Sequence, residues 1–370
     1  MAFINSIDIN QFRGIRQLNI TNLSGINLLV GDNNSGKTSF LEAVQLLFSK
    51  PQLGEVKKII NQRTVLNPDN NSFYTSFIKM FNVEQDKENM IIGISAHSNK
   101  GLMEFQFIGS EKTIVGEDAL EMSTLSARQK NIYKMSSVIP ETAKVFTGKI
   151  IKHTGKESHE NNIRCTSLDT GGIGGVAKKE VHYVSPFGHL RYDLLQNIVE
   201  NQEYKKLVID ILRKFDSAIA DICYIKTDDG AYIETIITNK GVNMPFSVYG
   251  DGMKRMLYIV NKLFAASDSI LMIDEIENGL HKKYYDVLFP VVFELAKKLN
   301  VQLFIATHNI EVIQAILEYG KYEENNKCDP IRVITLKRIQ LDNDSNIVAR
   351  NVTGKYVYEN RKVFEFEVRL

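Results

Sequence analysis

Apolar and polar residues alternate from Phe3 to Ile9 and again from Ile15 to Ile20, and a continuous apolar run covers Ile26 to Val30. Alternation with period two, and a short run apolar throughout, both predict strands. A glycine-bearing turn follows. From Ser39 to Phe48 the residues Phe40, Leu41, Val44, Leu47 and Phe48 share one helical face, so the chain opens with strands, a loop and a helix. The same alternation of types returns late. Helices are expected near Met253 to Phe264, from about Lys282 to Lys298 and from about Ile310 to Leu317, with strands at Ile270 to Ile273 and Val301 to Ile305. Strands alternating with helices predict an α/β class and a parallel sheet. Between these halves, Ile91 to Ser95 and Met103 to Ile108 read as a hairpin, Glu111 to Lys179 is polar with weak periodicity, and Leu190 to Phe215 reads as two helices. The middle is therefore an insertion. The expected parts are 1–110, an inserted, mainly helical lever or lid over 111–240, and 241–370. The glycine-rich DTGGIGGVAKK at 169–179 precedes no helix pattern and is expected to be a mobile loop, not a phosphate cradle.

Composition narrows the classes. The 370 residues carry 45 Lys+Arg against 44 Asp+Glu, for a net charge of +1. That balance argues against coating nucleic acid by bulk charge and leaves a local basic face open. The cysteines, Cys165, Cys223 and Cys328, lie far apart and fit no CxxC spacing, so they are expected to be incidental thiols in a reducing compartment. The N-terminal residues lack a signal-peptide pattern, and no apolar run is long enough to span a bilayer. A cytoplasmic protein without membrane contact is expected.

The sharpest chemical signal is GDNNSGKT, Gly31 to Thr38, which fits G-x-x-x-x-G-K-[ST] between a predicted strand and a predicted helix. Gly31, Asn33, Asn34, Ser35 and Gly36 let backbone amides curl around phosphates, with Ser39 following in the helix. Lys37 can reach the β and γ phosphates, and the Thr38 hydroxyl is placed for Mg²⁺. In SILMIDEIENGLH an apolar strand delivers Asp274 and Glu275 at its carboxyl end. Adjacent carboxylates there can divide the labour: Asp274 holds the magnesium shell, and Glu275 orients or deprotonates the attacking water. In FIATHNIEVI another apolar strand ends in Thr307 and His308, whose imidazole can hydrogen-bond a γ-phosphate and the water.

Together, INSIDINQFRGIRQLNI, GDNNSGKTSFLEAV, DEIENGLH and ATHN resemble the ATPase heads of the ABC superfamily, specifically its SMC, RecF and OLD branch. The resemblance implies an α/β head with a mixed or parallel sheet, flanking helices and an antiparallel β subdomain. It also implies ATP and Mg²⁺ as ligands, and a head-to-tail homodimer in which each ATP meets the other subunit's signature loop. PFSVYGDGMKRML occupies the signature's place, with Gly250, Asp251, Gly252 and Met253 against S-G-G-Q. Gly250 replaces the serine, whose contact is then missing or supplied by Ser247. Asp251 replaces a glycine and needs Lys254 or Arg255 to compensate its charge beside a polyphosphate. Glu277 and Asn278 match the D-loop that crosses to the other subunit. Arg13 matches an F-R-G element that contacts nucleotide in some relatives, and Gln62 is a candidate for the glutamine that couples to magnesium.

OLD-like ATPases of this short build are similar to those of bacterial anti-phage systems such as PARIS, or Gabija without its nuclease domain. A separate effector, a TOPRIM or other nuclease, is the partner this implies, with DNA kept open. Two alternatives stand beside it: a RecF-like repair ATPase, and a nucleotide-binding scaffold with little turnover. A zinc site from His153, His159 and Cys165 lacks ligand spacing. Asp342 and Asp344 form the D-x-D of a built-in TOPRIM nuclease, but alternating residues flank them, so a hairpin turn is expected.

Overall fold

The computed structural model describes residues 3–62, 73–82, 85–136, 139–169, 181–190, 194–320, 322, 329–341 and 344–361. Strands β1 (Ile4–Phe12) and β2 (Ile15–Ile20) pair antiparallel with Phe12 opposite Ile15, so Arg13 and Gly14 form their turn. Strand β3 (Ile26–Val30) is buried at every position. Helices α1 (Lys37–Phe48), α2 (Leu53–Asn61) and α3 (Phe73–Ile78) follow, then β4 (Met90–Ser98) and β5 (Gly101–Val115) as the expected hairpin. After α4 (Gly116–Met122) and α5 (Ala127–Met135), strands β6 (Thr142–Thr154) and β7 (Glu157–Thr166) extend the same sheet, in the antiparallel order β2-β1-β4-β5-β6-β7.

Strand β8 (Val181–Val184) returns to the second sheet. Helices α6 (Gln196–Val199) and α7 (Gln202–Leu212) follow, and β9 (Ile219–Lys226), β10 (Tyr232–Thr238) and β11 (Asn243–Pro245) form a small antiparallel sheet. The chain closes with α8 (Asp251–Ala265), β12 (Ile270–Ile273), α9 (Tyr285–Lys298), β13 (Gln302–Thr307), α10 (Ile310–Tyr319), β14 (Ile331–Leu341), β15 (Asp344–Thr353) and α11 (Gly354–Glu359). The second sheet runs β15-β14-β3-β13-β12-β8, parallel except for β15.

The apolar runs are explained by this sheet's two covered faces. Leu28, Val30, Leu271, Ile273, Leu303 and Ile305 join one core with residues of α8, α9 and α10. Leu29, Ile270, Met272, Phe304 and Ala306 join the other, with α1 and the antiparallel sheet. Helix α1 lies in that second core and buries Phe40, Leu41, Ala43, Val44, Leu46 and Leu47. Phe77, Phe81, Phe107 and Phe146 complete it, with ring centroids 5.1–5.7 Å apart.

The stretch 111–240 is not mainly helical. Residue 111 falls inside β5, β6 and β7 continue the first sheet, and β8 belongs to the second. The polar composition has a physical cause: β7 is an edge strand, exposed from Glu157 to Asn162, and such a strand needs few apolar positions. Residues 170–180, which hold most of the glycine-rich segment, lie outside the described residues, as does Cys328. Cys165 and Cys223 are free thiols, and burial pushes the Cys165 thiol far up. His153 faces Ser158 across the β6–β7 ladder, which puts His159 on the opposite face, so the three zinc candidates do not converge. Of the D-x-D segment, Asp342 and the intervening Asn343 lie outside the described residues, while Asp344, the second acid, pairs with Leu341 at the end of the expected hairpin. No helix among the described residues is long and apolar enough to cross a membrane.

Candidate active site

The parallel strands β3, β13, β12 and β8 present their carboxyl ends along one edge, where ligands of open α/β sheets bind. Beyond β3 the chain turns at once. Gly31 has φ of 145°, where a Cβ would collide with the Leu336 carbonyl, and Gly36 has φ of 100°, where a Cβ would strike Ile347. Both positions therefore require glycine. Asn34 sits at φ 65°, a conformation asparagine tolerates. Helix α1 starts at Lys37 with no side-chain cap from Gly36 and no acid in its first turn, so the amides of that turn form an electropositive helix end. The loop is wound as the motif predicts.

Lys37 is only 8% exposed, and its Nζ donates to the carbonyls of Gly31 at 2.5 Å and Asp32 at 2.7 Å. Burial lowers its pKa, opposed by the nearby charges of Asp274, Glu277, Glu275 and Asp32. The Thr38 hydroxyl donates to Asp274 Oδ2 at 2.9 Å, closing a gap of 236 residues in sequence. Tyr183, from β8, donates its hydroxyl to the same oxygen at 2.9 Å. Each such bond to a charged acceptor contributes about 1.5–3 kcal/mol.

Glu275 follows Asp274 at φ 45°, a left-handed conformation that costs roughly 1–3 kcal/mol in a residue other than glycine. Its carbonyl accepts from Asn278 N at 3.0 Å. Burial raises its pKa first, and the charges of Asp274 and Glu277 add to the rise, against His308 and Lys37. Such a shift suits a group that must take up a proton near neutral pH.

Glu277 turns inward within its own chain. Its Oε1 accepts from Thr307 Oγ1 at 2.9 Å and from His308 N at 3.1 Å, and lies 3.2 Å from His308 Nδ1. That contact favours a proton on Nδ1 and leaves Nε2 as the ring's acceptor. Arg13 donates through Nε to Glu42 Oε2 of α1 at 2.8 Å. It thereby pins the β1–β2 turn to the phosphate-loop helix. Gln62 closes α2 as its C-cap. The side chain that meets Asp274 from the neighbouring strand is Tyr183.

The signature candidate starts α8. Gly250 is its N-cap and would meet nothing within 4 Å if given a Cβ, whereas a Cβ on Gly252 would lie 3.1 Å from the Tyr284 ring. Asp251 is exposed, with Lys254 3.8 Å away. Arg255 does not serve as the compensating cation at this surface. It is fully buried and bound to backbone carbonyls beside Asp274. Sequence reasoning missed Tyr183 and Arg255 as site residues. The short run VHYV and the charge inside an amphipathic helix were their only traces.

Two family descriptions cover most of the chain: "AAA ATPase domain" over residues 3–171, and "AAA domain, putative AbiEii toxin, Type IV TA system" over 160–314. An ATP/GTP phosphatase of Helicobacter pylori is 23% identical over 97% of this chain and 99% of its own. RecF of Nitrosococcus oceani is 47% identical over 47 residues, 13% of each protein. RecF of Teredinibacter turnerae is 36% identical over 99 residues, 27% of this chain and 24% of that protein. The chain is an ATPase. Solved SMC heads are among its structural neighbours. The head bound to the C-terminal winged helix of ScpA gives a TM-score of 0.46 at 11% identity over 95% of this ATPase and 98% of that chain. The head from Thermotoga maritima gives 0.42 at 13% identity, over 95% and 100%.

Proposed function

We propose that this ATPase hydrolyses ATP with Mg²⁺ between two copies of the chain, with Glu275 as the base. The observation that carries the reading is the bond from Thr38 to Asp274, which joins the phosphate loop to the acidic strand end. The donor set fits magnesium: one hydroxyl and one carboxylate suit a cation that keeps several waters and takes phosphate oxygens. Among the described residues no cluster of three His, Cys, Asp or Glu offers a transition-metal alternative. Magnesium would neutralise charge on the β and γ phosphates. Thr38 and Asp274 would hold it, while Tyr183 fixes the Asp274 carboxylate. The amides of Gly31 to Ser39 and the Lys37 ammonium would bind the phosphates. Glu275 would take the proton of the attacking water, and His308, oriented by Glu277, would contact the γ-phosphate.

A second copy supplies Gly250, Asp251 and Gly252 in this reading. Support comes from the open surroundings of Gly250 at a helix start, where a partner's phosphate can approach. Gly250→Arg should leave ATP affinity and melting temperature unchanged, because its side chain enters open space, yet reduce turnover at least tenfold. Undiminished turnover would remove the loop from the trans contact.

The biological role in this reading is regulatory: the ATPase switches a separate effector, a nuclease, in anti-phage defence. The toxin–antitoxin wording of the family description over 160–314 favours it. The purified chain alone should leave DNA and tRNA intact, and a preparation with its neighbouring gene product should cut when ATP is present. Cleavage by the lone chain would refute the two-component reading. The local likeness to RecF, 47% identity over 47 residues, favours DNA repair as the second reading. ATPase stimulation by duplex DNA, without any effector, would select it.

A further inference from the structure

We propose that Arg255 is the positioning residue for Glu275, setting the backbone conformation from which that carboxylate works. The proposal rests on the reading of Glu275 as base. Arg255 is the fifth residue of α8 and has no exposed surface. Its partners are backbone carbonyls at the carboxyl ends of two neighbouring strands. Nη1 donates to Ser185 O at 2.5 Å, and Nη2 donates to Asp274 O at 3.0 Å and Glu275 O at 3.1 Å. A guanidinium buried on carbonyls, with no carboxylate in an ion pair with it among the described residues, is a costly way to hold two strands together. Apolar packing would do that more cheaply, so the cost points to the geometry the guanidinium enforces.

That geometry is specific. In an extended strand successive carbonyls point to opposite sides, so a single Nη nitrogen on one side cannot reach both. The carbonyls of Asp274 and Glu275 converge on Nη2 at the place where Glu275 has φ of 45°. The strained turn and the buried cation therefore account for each other: the turn brings the second carbonyl round, and the guanidinium offsets the strain. A rigid planar fork is needed, because lysine offers a compact ammonium that does not reproduce the fork's spread. Arg255 is also one turn beyond Gly250 to Gly252, so the setting of Glu275 is joined through a single side chain to the loop proposed to meet the partner's nucleotide.

The test compares Arg255→Lys, Arg255→Gln and Glu275→Gln with wild type. ATP affinity and binding stoichiometry are measured by calorimetry, and turnover is expressed per nucleotide-binding chain. Both Arg255 variants should lose at least tenfold in kcat while ATP affinity and the magnesium half-saturation stay within about threefold. A role in folding alone would lower the fraction of chains that bind ATP and leave turnover per binding chain at the wild-type value, which would overturn the proposal. If Arg255→Gln does not fold, Arg255→Lys keeps the charge and carries the same comparison. Loss of turnover in Glu275→Gln with normal turnover in Arg255→Lys would defeat this inference alone. Wild-type turnover in Glu275→Gln would defeat the base assignment on which it rests.

Discussion

Lys37→Ala is expected to abolish measurable ATP binding, with a loss of roughly 100-fold or more in affinity from removing a cation on the β and γ phosphates. The structure sharpens the reason. Lys37 is held at the centre of the loop by the Gly31 and Asp32 carbonyls, and its charge helps to offset Asp274, Glu275 and Glu277. Its removal leaves those carboxylates facing a polyphosphate with less positive charge to balance them. Titration calorimetry with ATP and magnesium gives the readout. Wild-type affinity in a folded variant would remove Lys37 from the phosphate site.

Glu275→Gln is expected to keep ATP binding, lose roughly 10²- to 10⁴-fold in turnover and accumulate an ATP-bound dimer, because the amide fills the same space but cannot accept a proton. The same variant should melt at a higher temperature than wild type at pH 7. Burial and the charges of Asp274 and Glu277 raise the folded pKa of Glu275, so its ionised form opposes folding. Protonation relieves that penalty as pH falls through the folded pKa, and below the unfolded value of about 4.3 the gain over wild type should vanish. Phosphate release and a melting series from pH 4 to 8 check both parts. Wild-type turnover would move the base elsewhere, with His308 next in position.

The three segments of the candidate site were legible because each is local: an apolar strand followed at once by its polar residues. Gly31 to Thr38, Asp274 with Glu275, and Thr307 with His308 all stand at strand ends that the structure brings to one edge of the sheet. The strand β7 was not legible, since an exposed edge carries polar residues where the period-two signal would need apolar ones. Strand β8 was hidden by its four residues and by its distance in sequence from β12, its partner in the ladder. The contact of Glu277 with His308 was not legible, because it depends on a turn that no spacing rule describes. Arg255 ran against the usual expectation that charge marks a solvated face. Its burial is apparent only once Ser185, Asp274 and Glu275 are seen together.

In the proposed mechanism two copies of this chain close on each ATP, and Glu275 then drives hydrolysis. The most direct measurement is phosphate release per chain as a function of chain concentration, at saturating ATP and magnesium. Specific activity should rise with concentration to a plateau, with little turnover at the dilute end, where ATP is still bound. Specific activity that stays constant down to concentrations at which the chain is monomeric would contradict the mechanism.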